Sequence, residues 1–155
     1  MKLRDFIVTD SIIANLKAAD RDAAIRELVT SLATAGALPQ DAVDEVVAAL
    51  IKREQNGSTG FGKGVAVPHT KHAKITKMSA TVGRSPEGID FSALDHQPVY
   101  SIVLLLSPEN QPQQHLQAMN TVFTNLQKDL FRRFLRQSAT REAIVELLDE
   151  ADQGK

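Results

Sequence analysis

The chain predicts a single sheet with helices packed on it, of the α/β or α+β class. Three observations lead there. Amphipathic helical spacing flanks a middle region of β-branched runs. The strongest of those runs, Val99-Tyr100-Ser101-Ile102-Val103-Leu104-Leu105-Leu106, is apolar on both faces, as a central strand covered by helices on two sides must be. At 155 residues the chain has the length of one domain, and a chain of this size buries about 68–70% of its unfolded surface without staples. Residues 1–155 therefore read as one domain.

The elements follow in order. After Asp20, the residues Ile25, Leu28, Val29 and Leu32 mark one helical face, and Gly36 supplies a stop. Pro39 and Asp41 open a second helix whose face is Val43, Val46, Val47, Leu50 and Ile51; it ends near Arg53-Glu54, because Asn56-Gly57 is a strong breaker. A glycine-rich loop runs from Gly57 to Gly64. Val65-Ala66-Val67, closed by Pro68, and Ser79 to Gly83 are strands, and Pro86-Glu87-Gly88 reads as a turn. Beyond Pro108 the spacing of Leu116, Met119, Val122 (or Phe123) and Leu126 is helical. A short helix around Leu130–Leu135 follows, then a last one from Thr140 to Asp149 with Thr140 as N-cap and Glu142 in its first turn.

Composition excludes several functions. The absence of cysteine removes disulfides, thiolate nucleophiles and Cys-ligated metals. The 18 Lys and Arg nearly balance 19 Asp and Glu, which argues against a nucleic-acid binder. The N-terminus lacks the apolar stretch of a signal peptide, and the longest apolar run, Val46 to Ile51, is far short of the ~20 residues of a membrane span. A soluble, cytoplasmic protein is the expectation.

Local charge tells a different story from the total. Between Glu54 and Glu87 there is no acidic residue, while Lys63, Lys71, Lys74, Lys77, Arg84, His69 and His72 all lie in that window beside the glycine-rich loop. Glycines let backbone N–H groups approach an anion and cations neutralise it, so a phosphate site is indicated. It is no nucleotide cradle. A P-loop needs Ser or Thr after Lys63, where Gly64 stands, and the third glycine of a dinucleotide fingerprint is missing. His69 follows Pro68, which cannot feed a central ladder, so the imidazole should emerge at a sheet edge or end. A neutral imidazole there is a nucleophile able to carry a phosphoryl group.

The text Arg53-Glu54, Gly57-Ser58-Thr59-Gly60, Gly62 and Val65-Ala66-Val67-Pro68-His69 resembles the phosphorylation-site signature of type 2 EIIA domains of the phosphoenolpyruvate-dependent sugar phosphotransferase system, in its fructose, mannitol and nitrogen-regulatory branch. The likeness extends through Gly88-Ile89-Asp90-Phe91, the Val99–Leu106 strand with Pro108, and the His115-Leu116 helix. It implies an α/β fold with a single mixed sheet flanked by helices on both sides. It implies His69 as phosphoacceptor, Arg53 as a ligand of the phosphoryl oxygens, His115 as the second active-site histidine, and Ser58 and Thr59 as loop hydroxyls. Thr70 departs from the small residue usual after the histidine and adds a hydroxyl within reach of the phosphate. The implied donor is phospho-HPr, and the implied acceptor is a IIB cysteine or a regulatory target. With no cysteine here, that thiol is expected on another protein, and membrane contact only through a permease partner. No cofactor is called for.

The chemistry agrees. Phosphoryl transfer asks for positioning and neutralisation; Arg53 is always cationic and can bind two oxygens at once; His115 donates a hydrogen bond, more strongly when protonated. No carboxylate of the loop opposes the incoming dianion. Two other readings compete. The absence of an attached IIB or IIC segment favours a purely regulatory module that binds kinases or transporters according to phosphorylation state. A metal site of His69, His72 and His115 is the remote alternative, since the His-x-x-His spacing is weak for zinc and no carboxylate supports it.

Overall fold

A computed structural model of the chain describes residues 1–154. Its hub is strand β5 (Val99–Pro108). Strand β4 (Ser79–Ile89) pairs antiparallel along one edge of β5. Along the other edge β2 (Val65–Ala66) and β3 (His69–His72) pair parallel to it, with Ala66 opposite Ile102 and His69 opposite Leu105. β2 and β3 are thus one strand line interrupted at Val67-Pro68, where proline has no N–H to give the ladder. β1 (Gly60–Gly62) pairs antiparallel outside β2. The sheet is mixed.

Helices α1 (Arg21–Thr34) and α2 (Val43–Gln55) cover one face; α3 (Pro112–Leu126), α4 (Asp129–Gln137) and α5 (Arg141–Asp152) cover the other. The alternation of β5 feeds both cores. Ile102, Leu104 and Leu106 pack with Ile25, Leu28, Leu32, Val46 and Leu50. Val103 and Leu105 pack with Val122, Leu126, Phe131, Ile144 and Leu148. Full burial of each such side chain contributes about 1.5–3 kcal/mol, which is why the run from Val99 had to be apolar on both faces. The expected flanking of one sheet on two sides is what the structure has.

Local signals hold at most ends. The Asp20 carboxylate accepts the Ala23 N–H and the Thr140 hydroxyl accepts the Ala143 N–H. Gly36, at φ 88°, ends the first helical stretch in a conformation that Cβ-bearing residues avoid. Pro39 opens a 3₁₀ turn, Gln40–Ala42, which leads into α2. Three expectations need correction. Pro86-Glu87-Gly88 is no chain reversal: β4 runs through it as an irregularity between Arg84 and Ile89, with Gly88 at φ 88° against Tyr100 and Pro98. Leu116 keeps the helical spacing but is 62% exposed; the buried face of α3 is Ala118, Met119, Val122, Asn125 and Leu126. The glycine-rich loop also contains strand β1.

The N-terminal segment carries no strong periodicity and still joins the sheet. Ile7 bridges Ala80 and Ile13 bridges Gly83. Its start is held from the far end of the chain, where the Asp152 carboxylate accepts the N–H groups of Leu3 at 2.7 Å and Arg4 at 2.9 Å.

Candidate functional site

Strand alternation sorts the residues after Pro68 onto two faces. His69 and Lys71 share register with Leu105 and Ser107, on the face covered by α3; Thr70 and His72 share register with Leu106 and Pro108, on the face covered by α2. β3 has one ladder partner, β5, so His69 lies on an edge as the proline argument requires.

His69 Nδ1 lies 2.8 Å from the Val67 carbonyl oxygen. A carbonyl only accepts, so Nδ1 carries the proton and the neutral ring keeps its lone pair on Nε2. The carbonyl is free for this because β1 begins only at Gly60, opposite Ala66; of Val67 the β1 side takes the N–H alone, through the Thr59 carbonyl. Burial lowers the His69 pKa, the Val67 bond works against that, Arg53 lowers it further, Glu54 raises it and Lys71 lowers it. The ring is therefore neutral and nucleophilic near pH 7.

His115 stands in the first turn of α3, and its ring centroid is 5.6 Å from that of His69. Its Nδ1 lies 2.7 Å from Oγ of Ser107, a fully buried residue of β5. Burial pushes its pKa down to about 4, helped by neighbouring His69 and Lys71. A helix N-terminus also disfavours imidazolium. His115 is therefore a neutral hydrogen-bonding group near pH 7, and the stronger donation that protonation would bring is not available to it there.

Arg53, in the last turn of α2, donates from Nη1 to the Gly57 carbonyl at 2.8 Å. Guanidinium has five N–H donors, so most of the fork stays available, and its charge is close enough to depress His69. The loop hydroxyls are otherwise engaged. Ser58 Oγ donates to the Phe91 carbonyl at 2.8 Å and accepts the Gly60 N–H at 3.0 Å. Thr59 gives both its N–H and its hydroxyl to the Glu54 carboxylate. A hydroxyl has one proton to give, so both residues brace the loop in this state. Thr70 is not brought to the imidazole: its side chain lies on the other face, with Oγ1 donating to the Lys71 carbonyl at 3.3 Å.

His72 also points away from the pair. Its Nδ1 accepts the Lys74 N–H at 3.0 Å and its Nε2 is 3.8 Å from Glu45 of α2. His69, His72 and His115 therefore do not converge, and no group of three possible ligands occurs among the described residues. The metal alternative loses its geometric basis.

Two contributors, Asp95 and Ser107, escaped the sequence argument, and a third, Glu54, entered it only as part of the Arg53-Glu54 pair, without a role. Glu54 is 3% exposed and holds the loop from inside. A carboxylate in the last turn of a helix opposes the dipole, and that misfit was the available signal. Asp95 accepts the Lys63 N–H at 3.1 Å, so the acid-free window is met by an acid from outside it. Ser107 lies just past the apolar run that ends at Leu106, and no local signal marks it.

Among the described residues no helix is long and apolar enough to cross a membrane. Comparison with known proteins gives a consistent result. The chain is 34% identical over 148 residues to a nitrogen regulatory protein of Bradyrhizobium diazoefficiens, covering 96% of this chain and 95% of that one. It is 31% identical over 153 residues to a fructose-specific EIIABC component of Bacillus subtilis, covering 98% of this chain but spanning only 24% of that relative's length. The nitrogen regulatory protein IIA-Ntr of Neisseria meningitidis superposes with a TM-score of 0.82 at 26% identity, over 93% of this chain and 97% of that one. IIA mannitol of Escherichia coli shares the fold, with a TM-score of 0.75 at 22% identity over 90% and 96% of the two chains. The model of the family described as "Phosphoenolpyruvate-dependent sugar phosphotransferase system, EIIA 2" matches residues 5–151, and the chain belongs to that family as a phosphotransferase component.

Proposed function

We propose that the protein carries a phosphoryl group on Nε2 of His69. The observation that carries this reading is the tethering of His69 Nδ1 to the Val67 carbonyl, which leaves Nε2 as an unprotonated nucleophile beside His115. The Nε2 lone pair attacks the phosphorus of a phosphohistidine donor of the HPr type. The new N–P bond forms as the donor's N–P bond breaks, and its electron pair returns to the donor imidazole. Arg53 takes equatorial oxygens with its free N–H groups, and His115 donates to another. Glu54, Ser58 and Thr59 keep the loop in shape around them. Thr70 acts through the backbone it stiffens rather than through its hydroxyl.

The group then passes to a IIB thiol, which lies outside these residues because they contain no cysteine. A IIB partner is named in a solved complex of IIA mannitol with phosphorylated IIB mannitol, whose IIA chain has a TM-score of 0.74 to this one. A purely regulatory use of the same phosphohistidine is favoured by one specific observation: the nitrogen regulatory relative matches over nearly its whole length. In that use, kinases or transporters bind one phosphorylation state and release the other.

The test is label transfer from a ³²P-phosphorylated HPr-type donor. The wild type takes up acid-labile label and His69→Ala takes none. Label retained by His69→Ala overturns the assignment. Affinity capture with phosphorylated and unphosphorylated protein separates the two uses: partners that differ between the states mark regulation.

A further inference from the structure

We propose that Ser107 is a positioning residue for phosphoryl transfer, holding His115 in the form that carries its proton on Nε2. This rests on the carrier reading above and adds a residue to it.

The argument is one of hydrogen-bond accounting. Ser107 sits on β5, opposite Lys71 of β3, and is 0% exposed. Its Oγ has a single partner among the described residues, His115 Nδ1 at 2.7 Å. Two arrangements satisfy that distance. If Nδ1 donated to Oγ, the serine proton would be left without an acceptor in a dry position. If Oγ donates to Nδ1, the serine proton is used and only spare lone pairs go unpaired. Leaving a buried donor unmade costs about 1–3 kcal/mol, so the second arrangement wins. Nδ1 then accepts, and a neutral imidazole must carry its proton on Nε2. His115 is neutral near pH 7, so this constraint governs the working form.

The consequence concerns both rings. Each has Nδ1 tied to the sheet, His69 by the Val67 carbonyl and His115 by the Ser107 hydroxyl. The two tethers have opposite polarity. A carbonyl forces the proton onto Nδ1 of His69 and frees the Nε2 lone pair. A hydroxyl donor forces the proton onto Nε2 of His115. One ring is thereby set as nucleophile and its neighbour as hydrogen-bond donor. Were both rings in the same form, the pair would offer two lone pairs and no donor, or two donors and no nucleophile. Ser107 is fixed by the ladder of a central strand, whereas His115 is in the first turn of a helix; the strand therefore positions the ring.

Nitrogen-15 correlation spectra of the unphosphorylated wild type at neutral pH read the forms directly. Expected are a pyrrole-like Nδ1 and pyridine-like Nε2 for His69, and the reverse for His115. Ser107→Ala leaves the amide spectrum folded and turns His115 into a mixture of forms. It slows label uptake about 3–30-fold, less than the 10²–10³-fold that removal of a whole transition-state donor costs. Ser107→Cys, a weaker donor of similar size, falls between. A pyrrole-like His115 Nδ1 in the wild type overturns the proposal, as does an unchanged ring form and uptake rate in Ser107→Ala. If the wild type takes up no label while the ring forms are as stated, the carrier reading fails and the ring assignment stands.

Discussion

His69 and His72 lie on one short strand, on opposite faces of one sheet, and meet different chemistry. The helix over His72 brings Glu45, which pairs with Lys74 at 2.9 Å and approaches the His72 ring. The helix over His69 has no acidic residue in its first turn and brings His115. On one face cations are ion-paired with a carboxylate; on the other Lys71 and the two rings make no ion pair, and the nearby Glu54 carboxylate, which raises the His69 pKa, is taken up by Thr59. A cationic stretch of sequence thus has no single character. The strand divides it by residue parity, and the covering helix decides which half stays ready for an anion.

The most severe way to break this contrast is to remove one histidine at a time. His69→Ala abolishes phosphoryl uptake, whereas His72→Ala keeps it within about twofold of wild type, measured as initial rate of label transfer. Equal losses in the two variants would show that the faces are not separate.

Next comes the buried brace. Glu54→Ala strands two Thr59 donors and lowers unfolding free energy by about 2–4 kcal/mol in a urea titration. Glu54→Gln, which can still meet both groups, costs about 1 kcal/mol. A neutral Glu54→Ala would mean that the loop does not depend on this carboxylate.

A smaller effect is pH-dependent. Because folding lowers the His115 pKa from 6.5 to about 4, the unfolded chain binds more protons between those values. Stability tied to this group is complete above pH 6.5 and is lost as pH falls toward 4. His115→Gln removes that slope. The difference is on the order of 1 kcal/mol, since the ring is partly exposed and water screens it. His69 acts in the same direction. Parallel stability curves for wild type and His115→Gln over that range would contradict the burial account.

The smallest effect is expected at the far face. Glu45→Gln breaks a pair that is open to solvent and leaves label uptake unchanged. A changed rate would show that the Glu45–Lys74 pair, on the opposite face from His69, communicates with the site.

The reach of sequence reasoning follows the reach of each interaction. The α1 face, Ile25 through Leu32, is written in local periodicity, and so is its Asp20 cap. The double-sided strand at Val99 announces its own centrality. His69 is legible because glycines, proline and cations crowd into one short stretch. Ser107, Glu54 and Asp95 are not legible in the same way. Each acts on a partner delivered by the sheet topology, and each looks ordinary among its chain neighbours. The same holds for the N-terminal segment, pinned by Asp152 across the whole length of the chain. Leu116 misleads for a complementary reason: spacing identifies a helix, but only the neighbouring layer decides which side is inside.

The tether on His69 has an energetic meaning for transfer. In hydrolases an ionised carboxylate commonly orients the working histidine and stabilises its cation. Here a neutral backbone carbonyl does the orienting. It supplies direction without a full charge of its own, so under the proposed role a phosphorylated ring would gain little from this tether that deepens it into a trap. On the carrier reading proposed above, the imidazole stays a good leaving group, so transfer onto the ring from one imidazole and off it to the next acceptor are closely matched in free energy. A station in a relay requires that near balance, because a group held too firmly is never handed on.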